Sequence, residues 1–305
     1  MSMIAADTRA ADARLASSVA AAHAAVRRRR HLETVGVVVL SAIILVWTIL
    51  PIYNMILISF EPEGDVFTDH IWPRVLSIES FWGVLTQGHW YLEHFWRQFA
   101  NSLYMGAWVT LLTLVIGSLT SFSIGRMRIR YGWLVSNAAL LTYVIPASFL
   151  AIPFYRIMQN YGMANNLWSV IASLVAFATP YAFFVLQEYG RSIPIEVDES
   201  ARIDGASPIQ VYLRIYLPLM APALVAVGTY AMLLAWNEYL YQFLLLSSKS
   251  SMTVPVALAQ FLNSDQSPWN YMMATAIIYA LPPVAIYYAF RRRMTAGLTM
   301  GGVKG

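Results

Sequence analysis

Six separate stretches of this chain are each long enough, wound as a helix, to cross the hydrocarbon core of a bilayer, and each is almost free of charge. Runs of about 20 predominantly apolar residues read as spanning helices, and they fall at 34–58, 99–124, 133–157, 167–186, 219–246 and 271–290. A chain that is 58% hydrophobic and only 12% charged, against about 25% charged in ordinary soluble domains, cannot hide that surface in a water-soluble fold. The expectation is an all-α integral membrane protein with six transmembrane helices in one bundle. The expected domains are an alanine-rich tail over 1–30, the transmembrane domain over 31–294, and a C-terminal tail over 295–305.

Basic residues orient the bundle, because lysine and arginine stay in cytoplasmic loops. Arg27 to Arg30 precede the first run, Arg126, Arg128 and Arg130 follow the second, Arg191, Arg202 and Arg214 lie between the fourth and fifth, and Arg291 to Arg293 with Lys304 follow the sixth. All of these clusters fall on one side, leaving Arg74, Arg97, Arg156 and Lys249 for the other. Both termini are therefore expected in the cytoplasm. The net charge of +4 then follows from topology and calls for no nucleic-acid partner. The apolar stretch after Arg30 exceeds a signal-peptide core of about 7–15 residues, so it is expected as an uncleaved span.

The chain has no cysteine, which excludes disulfides, thiolate metal sites and cysteine nucleophiles. His89 and His94 are off the i, i+4 spacing of a helical metal pair and read as interface residues. No G-x-x-x-x-G-K-[ST] run occurs, so this chain carries no nucleotide-binding loop of that kind. The outer loop from Phe60 to Gln98 mixes acids with Trp72, Trp82, Trp90 and Trp96. It suits a partly helical segment at headgroup depth, and two readings of it stand: a docking surface for an extracytoplasmic binding protein, or an aromatic belt with solvated acids.

Local chemistry predicts a hairpin at 187–218. Pro194 suits a first helical turn, Glu196, Asp198 and Glu199 put negative charge at that helix's positive end, Gly205 can end it in the left-handed conformation, and Ser207 followed by Pro208 starts the next. The spacing of Glu199, Ala201, Gly205, Ile215 and Pro218 resembles the cytoplasmic EAA loop of permease subunits in binding-protein-dependent ABC importers, with Ser200 where a second alanine is usual. The ending from Gly297 through Gly301, Gly302, Val303 and Lys304 resembles that of the smaller permease of maltose-type carbohydrate-uptake importers, the MalG-like family. A glycine-rich end of this kind is not expected to hold a stable helix.

This resemblance covers the chain from its first span to its end. It implies a type I importer fold and a bacterial inner-membrane location. It also implies half of a translocation pathway, shared with a second homologous permease subunit (MalF-like), two ATPase subunits that bind ATP and Mg, and an extracytoplasmic solute-binding protein. No cofactor and no catalytic residue is expected in this chain. ATPase coupling is expected at Glu199, Ser200, Ala201, Asp204, Gly205, Ile215 and Pro218, with the C-terminal tail also touching the ATPase.

Polar residues inside lipid are costly and face a cavity or a partner. On a continuous fifth helix Asn237 would lie above Tyr241 and Glu238 above Gln242, one face of hydrogen-bonding groups with an aromatic ring. That face resembles the same stretch of sugar-importer permeases, and Asn101 and Ser102 also fit the family pattern. Either these residues line a path for a sugar or they tie the helix to a neighbour. Importers of non-sugar solutes share the loop motif, and an ion-coupled secondary transporter would use Glu238 as a relay, although no inverted repeat supports one. The small residues and prolines Gly117, Ser118, Pro146, Pro153 and Pro180 read as packing and kinking positions. Single cysteines at Ala25, Ser207, Lys304, Thr86 and Ser267 test the topology: in intact cells an impermeant thiol reagent should label Thr86 and Ser267 only, and labelling at Ser207 overturns the orientation.

Overall fold

The computed structural model describes residues 2–62, 66, 71–73, 75–127, 129–263 and 267–299, and for 2–26, 140, 143, 263 and 292–299 the backbone alone. Among the described residues every regular element is helical. The chain forms two units, Met1–Ile58 and Ser59–Gly305. The first unit is the helix α1 (Ser2–Ser59), whose Arg27–Ser59 portion has the length and apolar character of a span.

The second unit is a helical bundle. Its members are α2 (Glu79–Thr86), α3 (Phe95–Arg126), α4 (Gly132–Leu141), α5 (Ala151–Asn160), α6 (Leu167–Arg191), α7 (Glu196–Ile203), α8 (Pro208–Leu219), α9 (Ala221–Asn237), α10 (Leu240–Leu245), α11 (Val254–Gln260) and α12 (Trp269–Thr299). Helices α3 and α6 form the central pair, and α9 packs on both. Close approach explains the small residues: a Cβ on Gly117 would stand 3.1 Å from that of Ala182.

Among the described residues four helices meet the length and hydropathy of a span, and Pro208–Leu219 and Ala221–Asn237 meet it only together, across a bend of 78°. The expected continuous third helix is absent: 133–157 is divided between α4 and α5, with Ile145 extended before Pro146. Proline removes an amide donor and drives the residue before it to extended backbone, so Pro146 makes a break rather than a kink. The fifth run also departs from expectation. It ends at Asn237, Glu238 is extended, and α10 begins at Leu240. At the other end of the chain, α12 continues through Gly297 to Thr299, further than its glycine content suggested.

The outer loop is partly helical as expected, with α2 and a 3-10 turn over Trp90–Leu92. Its tryptophans Trp72, Trp82, Trp90 and Trp96 are exposed, whereas Glu61, expected among solvated acids, is buried. His89 accepts from the Tyr91 amide and packs against the Tyr271 ring. Among the described residues no group of acids and histidines could hold a metal.

Candidate functional site

The hairpin forms through the local chemistry that the sequence carries. Pro194 sits one residue before the N-cap Ile195 rather than in the first turn of α7, and Glu196, Asp198 and Glu199 occupy that turn. Gly205 has φ +86°, a conformation that costs a side-chain-bearing residue about 1–2 kcal/mol. Ser207 and Gln210 form a reciprocal capping box at the start of α8, with Pro208 inside it. Within α8 the Tyr212–Tyr216 turn is a π-helix, a form that recurs at functional positions.

Two faces of the hairpin differ. Val211, Tyr212 and Tyr216 are buried against Phe122 of α3 and Leu186 of α6, and the Tyr212 and Tyr216 hydroxyls bond Ser118 and Ser121 at 2.8 Å and 2.9 Å. At the tip Ile203 is 86%, Ile209 58% and Leu213 55% exposed. Of the expected coupling residues, Glu199, Ser200, Asp204 and Gly205 are exposed, and Ala201 and Ile215 lie at the margin of the buried face. Pro218 stands just before the bend. Gly301, Gly302, Val303 and Lys304 lie outside the described residues.

Two residues of this region carry a role the sequence did not disclose. Arg126, read there as a topology marker, is buried and ion-paired with buried Asp198 of α7 at 3.2 Å. Its Nη2 donates to the carbonyls of Gly190 at 3.1 Å and Ile193 at 2.9 Å. The Asp198 oxygens take no hydrogen bond among the described residues, so the pair is held by charge and not by an aimed N–H. Breaking such a buried pair by removing one partner costs about 3–5 kcal/mol.

The polar cluster of the fifth run does not share one helical face. Instead its side chains close a break. A helix end leaves its last carbonyls and first amides unpaired, and here two of the last carbonyls of α9 are met by side chains from beyond the break: Gln242 donates to Ala235 O at 3.3 Å and Tyr279 to Trp236 O at 2.7 Å, while Asn237 donates one turn back within α9, to Leu233 O at 2.9 Å. On the other side of the break the Glu238 carboxylate accepts from the amides of Tyr241 at 2.8 Å and Gln242 at 3.2 Å, the start of α10. Tyr241 is buried and its hydroxyl donates to Ala147 O at 2.7 Å, which joins this break to the one at Pro146. Gln242 is fully buried and also bonded by Thr253.

Asn101 and Ser102 likewise act as ties. Asn101 donates to Ser250 O and Met252 O, both at 2.9 Å, and Ser102 accepts from the Val254 amide at 3.2 Å. Of the expected path residues only Asn237 is exposed. Beside it, Tyr239 and Phe243 stack with centroids 5.5 Å apart and line a cavity of about 280 Å³ with Ser247 and Gln260. Their i, i+4 spacing puts them on one helix face, a signal the sequence reading did not use.

Comparison with known proteins places this bundle and hairpin in a class. Residues 113–299 match the family described as the binding-protein-dependent transport system inner membrane component, and the chain belongs to that family. It is 30% identical to the inner membrane ABC transporter permease protein YcjP of Escherichia coli, over 91% of this chain and 99% of that one. It is 29% identical to the trehalose transport system permease protein SugB of Mycobacterium tuberculosis, over 88% and 96%. Its fold matches a chain in the crystal structure of a bacterial ABC transporter that imports the acidic polysaccharide alginate, with TM-score 0.75 and 19% identity, covering 86% of this chain and 96% of that one. The protein is thus an inner-membrane transport permease.

If Glu238 caps the break, Glu238→Ala should destabilise the purified protein by about 0.5–2 kcal/mol, the cost of losing a capping side chain. Its thermal midpoint should fall, and Glu238→Gln should recover part of the loss. An unchanged midpoint for Glu238→Ala removes the capping role.

Proposed function

We propose that this chain forms half of the translocation path of an ATP-driven importer for a sugar or sugar-like solute delivered by an extracytoplasmic binding protein. A second, homologous permease completes the path, and separate ATPase subunits bind ATP and Mg and supply the energy. The observation that carries the reading is the 196–219 hairpin. It is buried on one side against α3 and α6 and presents Ile203, Ile209 and Leu213 on the other. Exposed apolar side chains beside an acidic helix and a turn suit a protein interaction site, and basic-residue asymmetry favours a cytoplasmic position for the turn.

The meeting of two helix breaks supports a path through the unit. Irregular backbone at membrane depth is tolerated where it is buried in protein or lines a cavity, and transport sites gather at discontinuous helices. Tyr239 and Phe243 beside the break offer an aromatic surface, with Ser247 and Gln260 as hydrogen-bonding neighbours. That combination suits a solute with C–H faces and a rim of hydroxyls. The trehalose permease among the relatives favours the same solute class. In alternating access the solute needs only a differential affinity for the two states.

Two measurements test this. Gly205→Pro cannot adopt φ +86° and should uncouple ATP hydrolysis from uptake in an assembled transporter, by tenfold or more in solute moved per ATP; normal transport at normal expression rejects ATPase docking by the hairpin. Tyr239→Ala should lower sugar uptake several-fold while the amount of assembled complex is unchanged. A loss of assembly with unchanged uptake per complex makes Tyr239 a packing residue instead.

A further inference from the structure

Helix α7 is joined to α6 through the short non-helical link 192–195, and to α8 through Gly205, the residue with φ +86°. Both connections are hinges in form. A lever attached by hinges alone would bend under load and pass little motion to the spans. Arg126, at the last turn of α3, reaches every part of this junction. Its Nε meets Asp198 inside α7 at 3.2 Å, and its Nη2 donates to Gly190 O at the end of α6 and to Ile193 O within the link itself. The guanidinium also lies 5.7 Å from the Tyr216 ring centre in α8, and that tyrosine is bonded to Ser121, one and a half turns back along α3 by its number.

We infer that Arg126 and Asp198 are positioning residues for transport: the buried pair locks the 192–195 link and makes α7, the ends of α3 and α6, and the last turn of α8 move as one body. The chemistry suits a lock better than a contact surface. Both side chains are nearly inaccessible, at 6% and 3% exposure, so neither is offered to a partner subunit. Separating the pair would strand a charge in a low-dielectric junction, and that resistance is what stiffens the link. Glu199, the next residue, is exposed and stays outside the lock. The inference rests on the ATPase-driven reading of the hairpin only for its functional consequence; the stiffness of the junction stands without it.

The complete transporter, reconstituted in proteoliposomes with its ATPase and binding-protein partners, supplies two readouts. Backbone hydrogen exchange over 188–204 reports the lock, and solute imported per ATP hydrolysed reports its effect. Asp198→Asn keeps the shape of the side chain and removes its charge; exchange in that window should rise at least tenfold while α3 around Val109 is unchanged, and solute per ATP should fall by a similar factor. Arg126→Lys provides a milder variant that keeps the charge but cannot reach Asp198, Gly190 O and Ile193 O together, and it should fall between wild type and Asp198→Asn in both readouts. Unchanged exchange in both variants overturns the lock. Raised exchange with an unchanged solute-to-ATP ratio overturns its role in transport. Failure of the docking reading looks different, because Gly205→Pro would then transport normally, whatever the exchange over 188–204 shows.

Discussion

A backbone amide or carbonyl inside a bilayer has no water to turn to, and that constraint governs where this chain can depart from helix. An unsatisfied group costs several kcal/mol in hydrocarbon, so a spanning helix can stop only where side chains take over the work of the missing turn. At 238–239 they do. Gln242 and Tyr279 donate to released carbonyls, and Glu238 accepts from released amides. The polar residues of this run are therefore the condition for having a break at all. Beside the break, Tyr239 and Phe243 stack and line a cavity.

Sequence and structure agree where the determining chemistry is local. Gly205, Ser207 and Pro208 fix a turn, a cap and a first helical position within a few residues of one another, and the hairpin follows from them. The first, second, fourth and sixth spans were equally legible, since hydrophobic runs report burial in lipid directly. The division of the fifth run was not. Between Trp236 and Gln242 there is neither glycine nor proline, and every residue there is compatible with helix. Its interruption depends on groups far away in the chain, Tyr279 and Thr253 among them, and no periodicity contains that information. Pro146 did carry a local signal, but whether a proline kinks or ends a helix is settled by what meets the exposed carbonyls. Here the Tyr241 hydroxyl donates to Ala147 O, just after Pro146, and holds the start of the next turn against α10.

The same limit explains Arg126 and Asp198. Each has an ordinary reading in isolation, one as a basic residue following a span and the other as an acid in a helix's first turn. Only the fold brings them together. A buried arginine is nevertheless a specific instrument: its planar, forked donors can serve several acceptors at once where a lysine offers a single compact charge. At this junction it joins a carboxylate of one helix to carbonyls at the end of another and in the link between them.

Helix α3 ties these regions to one another. It is 32 residues long, about 48 Å at the helical rise of ~1.5 Å per residue, and polar side chains at both of its ends hold other segments. At one end Gln98, Asn101 and Ser102 fix the backbone from Lys249 to Val254, the segment that follows α10 and its break. At the other, Ser118, Ser121 and Arg126 fix the hairpin. Between them the helix is packed closely on α6, with Gly117 against Ala182 allowing the two backbones to approach. A rod clamped at both ends transmits displacement without having to change its own conformation. Force applied to the hairpin would therefore reach the segment beside the Tyr239 and Phe243 cavity through α3.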